Sequence, residues 1–370
     1  MMLLPGCVGA STRRFLLTTT FADIGKLRSV AYTANSGEGG NSGIRAAGSH
    51  IFDCRHFRVV QPDSGLRVSV DSILFGAYAS RKEDADFASL LHSGGHLLDI
   101  GTGTGILALI LAQQLDPQFS SHRLEPIART ATDSRQERIS FVSDPSLSVW
   151  PRFKIVAIDK DPVAYKETVA NFRCGAVERT QIQEEILGRW QSILEPRCIS
   201  LQDLAGNVSD GVFDWVICNP PFHPAPSNVV RSMSSEIPSP RHTARFDNHL
   251  STNDLMEGCS KIVKKGGVLW ILQASANEEN VTRCARHHSF ELVHRCLFKF
   301  KPSSPPKRVM MKFVKTTGAN ASANMGNGCD RTLTILTGGQ PGVARYSKEF
   351  KRIVENIYRD EMLESLKHAH

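Results

Sequence analysis

The sequence predicts an α/β domain built on a doubly wound, mainly parallel sheet. Three observations carry this. Short apolar runs of strand length alternate with helical patterns of about ten residues from Leu97 onward, a glycine-rich turn joins the first of these strands to its helix, and a later strand ends in Asn-Pro-Pro-Phe. In order, Leu97–Ile100 reads as a strand, Gly105–Leu115 as a helix, Lys154–Ile158 as a strand, Pro162–Arg173 as a helix and Cys198–Leu201 as a strand. Phe213–Cys218 is a strand, Thr252–Val263 a helix, Gly267–Leu272 a strand, Glu278–His288 a helix, and Glu291–Phe298 and Val309–Val314 are strands. A last helix is expected from about Ser347 to Leu366, with Phe350, Ile353, Val354 and Ile357 forming its apolar stripe.

Two stretches break the rhythm. Residues 116–152 are polar, carry Pro117, Pro126, Pro145 and Pro151, and separate two strands that one helix and a short loop would join, so they read as a surface insertion. Residues 316–329, rich in Gly, Ala and Asn, read as a second one. Residues 1–50 contain Arg13 and Arg14 with several Ser and Thr, no acid before Asp23, and a Gly/Ser/Asn-rich end. That composition is expected of a transit peptide for mitochondrion or plastid followed by a flexible linker, the alternative being a disordered tail on a cytoplasmic protein. Residues 51–370 then form the working domain.

Composition narrows the partners. With 41% hydrophobic and 22% charged residues, a 370-residue chain is globular. Its longest uncharged apolar run, Ile106–Ala112, is far short of the roughly 18 residues of a membrane-spanning helix, so no membrane partner is expected. The net charge of +7 includes +3 from the first fifty residues, so a polyanion would have to meet local basic patches. Nine scattered cysteines without a CxxC pair suit reduced thiols and give no zinc or other metal motif.

Three motifs carry chemistry. Leu98-Asp99-Ile100-Gly101-Thr102-Gly103-Thr104-Gly105 runs from strand through glycine turn to helix, where backbone can approach a ligand and the helix N-terminus offers unpaired N–H groups. The third glycine comes one place too early for a dinucleotide fingerprint, and no P-loop is present. Asp159, at the end of the next strand, is placed to accept from ribose hydroxyls, while Asp161 before Pro162 suits a helix N-cap. Asp203, past the expected third strand, is placed to accept from the adenine amine of the same nucleoside. In Asn219-Pro220-Pro221-Phe222, two prolines fix the backbone so that the Asn219 side chain and the Pro220 carbonyl face one pocket. An exocyclic base amine is a poor nucleophile, and two acceptors on its hydrogens would hold it for in-line attack on a methyl sulfonium. Phe222 offers a stacking face for the base.

On these motifs the chain resembles the class I S-adenosylmethionine-dependent methyltransferases with an Asn-Pro-Pro-aromatic motif. Within them it is similar to the bacterial tRNA (adenine-N6) methyltransferases that modify valine tRNA beside the anticodon. Arg67–Ala79, Arg241–Phe246, Pro306–Phe313 and Tyr346-Ser347 extend the resemblance over roughly residues 52–362 outside the insertions, with Ser69 and Val70 standing where that family usually carries Gly and Thr. The resemblance implies a Rossmann-like sheet of seven strands, S-adenosylmethionine as methyl donor, and RNA as partner. It implies Asp99, Gly101, Thr102, Gly103, Asp159, Lys160, Asp203 and Asn219 as the donor-binding set, and Asn219, Pro220, Pro221 and Phe222 as the catalytic set. Arg241 and Arg245 in one basic segment, and Lys307 and Arg308 within Lys299–Lys315, are the expected RNA contacts. Two alternatives stay open: a methyltransferase for a glutamine amide in protein, and an RNA-binding factor of this fold without turnover.

Overall fold

The computed structural model describes residues 49–62, 67–120, 152–173, 180–220, 250–316, 329–337 and 345–364. The expected transit segment and the greater part of both insertions lie outside them. β3 (Gly95–Ile100) pairs in parallel with β4 (Phe153–Asp159) on one side and β6 (Phe213–Cys218) on the other. β5 (Leu194–Cys198) continues in parallel outside β4, and β7 (Val263–Ala274) outside β6. β9 (Arg308–Lys315) runs antiparallel between β7 and β8 (Phe290–Lys299), and β10 (Cys329–Thr334) adds a parallel edge to β8. The resulting order is β10-β8-β9-β7-β6-β3-β4-β5, a mostly parallel sheet of the Rossmann-like class I methyltransferase kind. It has eight strands where seven were expected, because β10 begins at Cys329, the last residue assigned to the second insertion.

Parallel strands need crossover helices, and burial on both faces explains why their sequences are nearly continuous apolar runs. α3 (Ile106–Leu115) follows the glycine turn and is buried on every side, consistent with its lack of any polar face. α5 (Pro162–Phe172) starts where expected: the Asp161 carboxylate accepts from the Val163 N–H at 2.9 Å, with Pro162 in the first turn. α8 (Thr252–Ile262) lays Leu255, Met256, Cys259 and Ile262 on a core built from Leu98, Ile100, Val156, Val216, Leu269 and Ile271. α9 (Glu278–His287) returns the chain to β8.

Several expectations are corrected. Cys198–Leu201 is not a strand. The strand is Leu194–Cys198, after which Ser200 caps α7 (Leu201–Asn207) by accepting from the Asp203 N–H at 3.0 Å. Pro196 is tolerated within it because β5 is the sheet's edge. The single C-terminal helix is two, α10 (Lys348–Val354) and α11 (Asp360–Glu364). The chain turns between them, where the Arg55 guanidinium donates to the carbonyls of Glu355 and Tyr358 at 3.0 and 3.2 Å. The first residues of the first insertion are integral: Asp116 precedes α4 (Pro117–Ser120), and its carboxylate accepts from Trp190 Nε1 at 2.9 Å at the end of α6 (Gln181–Trp190).

Elements the sequence pattern concealed lie before β3. A hairpin of β1 (Ser49–Asp53) and β2 (Arg58–Pro62) is followed by α1 (Val70–Ala79), which packs on α3 and α10, and by α2 (Ala85–Ser93). A small ribbon, β11 (Leu336–Thr337) with β12 (Arg345–Tyr346), precedes α10.

The start of α2 is fixed by charge. Asp84 caps it, accepting from the Phe87 N–H at 3.1 Å, and both its oxygens accept from Lys312 Nζ at 2.7 Å. Lys312 lies on β9, only 5% exposed, with Asp86 as a second partner at 2.5 Å. Removing one member of a buried pair strands the other. Lys312→Met is therefore expected to cost about 3 kcal/mol of stability, read as a lower urea midpoint. A midpoint unchanged from the wild type would show that the pair is not load on the fold.

Candidate active site

The sheet reverses its order at β3: β4 and β5 run outward on one side, β6 and β7 on the other. In open parallel sheets this switch point leaves a crevice at the carboxyl ends of the strands. Ile100 is level with Ile158 on one side and Cys218 on the other. Gly101, Asp159 and Asn219, each the next residue along its strand, consequently stand side by side at the mouth of the crevice. Neighbouring strands are about 4.8 Å apart, so the row is about 10 Å long.

The glycine turn is held from below. The N–H groups of Gly101 and Thr102 both donate to the Ile158 carbonyl, at 2.9 and 3.0 Å. Asp99 is fully buried and accepts from the Thr102 hydroxyl at 2.7 Å, so it shapes the turn from beneath. Gly101, Gly103 and Gly105 have φ of +68°, +58° and +83°, which a side chain would strain. Their surroundings differ. A Cβ at Gly105 would lie 2.7 Å from the Phe172 ring, whereas one at Gly101 or Gly103 would meet nothing within 4 Å among the described residues. Gly105 is thus a packing glycine, and Gly101 and Gly103 face open space that a ligand can enter.

Asp159 closes the turn's other side. Its carboxylate accepts from the N–H of Gly103 at 3.0 Å and from that of Asp161 at 3.0 Å. Burial pushes its pKa upward against the pull of these two bonds. A carboxylate accepts at about four lone-pair positions, so room remains for ribose hydroxyls. Lys160 beside it is exposed. Asp203 is exposed in the first turn of α7, where it accepts from the Ser200 hydroxyl at 2.6 Å; it belongs to a helix and not to a strand end. An open glycine turn with an acid at the end of the next strand fits the nucleoside half of S-adenosylmethionine.

Asn219 sits at the end of β6 with its side chain turned toward α1. Its Nδ2 donates to the Ser72 hydroxyl at 3.0 Å, while its Oδ1 is buried and has no hydrogen-bond partner among the described residues. Buried acceptors are rarely left unpaired, and this one awaits a donor. Pro220 is half-buried next to it. Pro221, Phe222, Arg241 and Arg245 lie outside the described residues.

No family model matches the chain. Curated relatives do. It is 23% identical to the tRNA1(Val) (adenine(37)-N6)-methyltransferase of Phocaeicola vulgatus, covering 71% of this chain and 82% of that one. With the protein of the same name from Bacteroides thetaiotaomicron it shares 24% identity over 83% of this chain and 97% of that one. With that of Vibrio vulnificus it shares 23% over 83% and 95%. Among solved structures, a predicted O-methyltransferase from Agrobacterium tumefaciens overlays with a TM-score of 0.44 at 12% identity, covering 77% of this chain and 96% of that one. The chain is a class I methyltransferase that resembles these relatives. Its methyl donor is S-adenosylmethionine.

The methyltransferase's basic residues divide sharply. β8 and β9 meet in a turn at the carboxyl edge of the sheet, since Phe298 pairs with Arg308 and Arg308 with Ala274. Lys299, Lys301 and Lys307 therefore stand at the same edge as Asn219, and Lys307 is exposed. Arg308 is already engaged: its Nε donates to Asp71 in the first turn of α1 at 3.1 Å. Lys312 and Lys315, expected in the same patch, are elsewhere. Lys312 is buried with Asp84, and Lys315, at the opposite edge, donates to the carbonyls of Ser260 and Val263. Arg55 and Arg58, near the start of the domain, are paired with Asp360 and Asp53.

Sequence reasoning missed Ser69, Asp71 and Ser72 as members of the site. Nothing in their spacing pointed to Asn219.

Asp99 links the turn to pH. Burial, partly opposed by the Thr102 hydroxyl and the Ala108 amide, raises its pKa from 3.8 to about 7. Between those values the folded protein holds a proton that the unfolded chain releases, so this group's contribution to stability falls as pH rises through the window. The slope for one proton is about 1.4 kcal/mol per pH unit. Asp99→Asn is expected to remove it, so urea unfolding should show wild type losing ground to the variant from pH 4.5 to 7. Parallel pH profiles for the two proteins would contradict the assignment.

Proposed function

We propose that the protein is an N6-adenine methyltransferase acting on RNA, and specifically on the adenosine beside the anticodon, position 37, of an organellar tRNA. The observation that carries the chemistry is the buried, unpartnered Oδ1 of Asn219, level with the open glycine turn. The curated relatives' shared name supports the tRNA half of the reading.

S-adenosylmethionine supplies an electrophilic methyl group on a positively charged sulfur. Gly101 and Gly103 let the donor lie against the backbone, Asp159 orients its ribose, and Asp203 accepts from its adenine amine beside the Ser200 hydroxyl. The target base must leave its stack to reach the row of strand ends. Asn219 Oδ1 and the Pro220 carbonyl accept the two hydrogens of its amine, which turns the nitrogen lone pair toward the methyl group, and Phe222 stacks on the ring. These contacts lower the barrier by orientation and by stabilising positive charge as it develops on nitrogen, so no strong base is needed. Lys299, Lys301 and Lys307 bind phosphates on the way to the crevice.

Asn219→Ala is expected to abolish methyl transfer to tRNA while calorimetric affinity for S-adenosylmethionine stays within about twofold, because the loss falls on the transition state. Mapping N6-methyladenosine in RNA from cells with and without the protein should show one tRNA position 37 losing its mark. An unchanged RNA map with loss of a methylated glutamine would reassign the substrate to protein, and wild-type turnover in Asn219→Ala would sink the methyl-transfer reading.

Lys307→Ala should weaken tRNA binding and flatten the slope of log K against log salt by about 0.7 to 0.9, the value for one phosphate contact. Equal slopes would remove Lys307 from the RNA surface.

A further inference from the structure

Asn219 can act as described only if its amide points the right way. The side chain is nearly symmetric in shape, and a half-turn about its last bond exchanges an acceptor for a two-hydrogen donor. Turned wrongly, it would present N–H groups to the N–H groups of the target amine. Among the described residues the Asn219 side chain has a single hydrogen-bond partner, so the choice rests on that contact.

That contact is Ser72, on the first turn of α1, 147 positions earlier in the chain. A lone serine would not choose either, because a hydroxyl both donates and accepts. Ser72 is not alone. Its Oγ lies 3.0 Å from the Oγ of Ser69, the residue that caps α1 by accepting from the Ser72 N–H at 3.1 Å. If the Ser72 proton goes to Ser69, only lone pairs remain for Asn219. They accept an N–H and repel a carbonyl oxygen. Nδ2 must then face Ser72 and leave Oδ1 free of it, and the arrangement found has Nδ2 on Ser72 and Oδ1 without a partner among the described residues. Ser72 is 8% exposed, so water cannot readily take its place in the chain.

We infer that Ser72, with its proton held by Ser69, is a positioning residue that fixes the amide orientation of Asn219 and so presents Oδ1 to the reacting amine, an inference that rests on the methyl-transfer reading above. The helix cap thereby does two things at once. It satisfies the start of α1, and it sets the direction of a hydrogen-bond chain that ends on the catalytic acceptor. Asp71, between the two serines, is anchored by Arg308 and keeps that first turn against the end of β9.

The test compares single-turnover and steady-state kinetics of the full-length protein with S-adenosylmethionine and its tRNA substrate. Ser72→Ala should lower kcat by about tenfold to a hundredfold, the scale of a misplaced reacting group, with KM for both substrates and calorimetric donor affinity within about twofold of wild type. Ser72→Thr, which keeps the hydroxyl, should recover kcat to within about threefold, a rescue that loss of packing alone would not give. Wild-type kcat in Ser72→Ala would overturn the inference. So would a Ser72→Thr protein as slow as Ser72→Ala, or a fall carried by weaker substrate binding with kcat intact. Asn219→Ala, run alongside, separates the two levels: if it is inactive while Ser72→Ala is fully active, the methyl-transfer reading stands and the positioning role does not. If Asn219→Ala itself retains turnover, the reading fails first.

Discussion

The parallel register of β4, β3 and β6 is the constraint on which the site depends. The buried stretches Ile155–Ile158, Leu97–Ile100 and Trp215–Cys218 lie level with one another, so slipping one strand by a residue would draw a flanking polar residue into the buried layer. The candidate site residues stand immediately beyond those runs. Their alignment is therefore a by-product of core packing, and the chemistry needs no separate device to bring Gly101, Asp159 and Asn219 into one row. What packing does not set is the direction of the polar groups in that row. That falls to hydrogen bonds, one local and two between distant segments: Thr102 to Asp99 under the turn, Gly103 to Asp159 across it, and Asn219 to Ser72 over the top.

The strands of the core were legible because they are buried on both faces and so are continuous apolar runs between turn signals. Phe213–Cys218 was read with its observed ends, and the helix after Asp161 announced itself by its cap. Legibility failed where a local rule met a tertiary exception. β5 carries Pro196 and alternating charges in Glu195 and Arg197, features of an edge strand that hide it, while Cys-Ile-Ser-Leu looks more strand-like than it is. α1 escaped notice because nine of its ten residues are buried and no polar face gives it a helical period. The C-terminal helix was drawn too long because its apolar stripe continues through Ile357, although the intervening carbonyls belong to Arg55.

The site divided along the same line. Motifs that are contiguous in the chain, the glycine turn and Asn219-Pro220, could be given a chemical meaning from spacing alone. Contacts between distant segments could not. Arg308 looked like a free phosphate ligand until Asp71 was seen beside it, Lys312 until Asp84 was, and the two serines of α1 carried no reading of their own. Charge counts cannot distinguish a lysine in solvent from one that holds a buried carboxylate, because the partner's identity is a property of the fold.

One residue of α5 gives the domain's beginning an unexpected tie. Asn171 is fully buried: its Oδ1 accepts from the Val60 N–H at 2.8 Å, and its Nδ2 donates to the carbonyls of Val60 at 3.1 Å and Thr104 at 2.9 Å. One amide thus clasps the edge of the first hairpin and the glycine turn together, while Thr168, a turn earlier, holds the Gly103 carbonyl at 2.7 Å. Fraying of the hairpin would uncover part of that amide and loosen the glycine turn. By thermodynamic linkage, a molecule that prefers the closed loop also favours the docked hairpin. The first hairpin is in this sense tied to the glycine turn, and it braces the wall of the candidate site through a single buried amide.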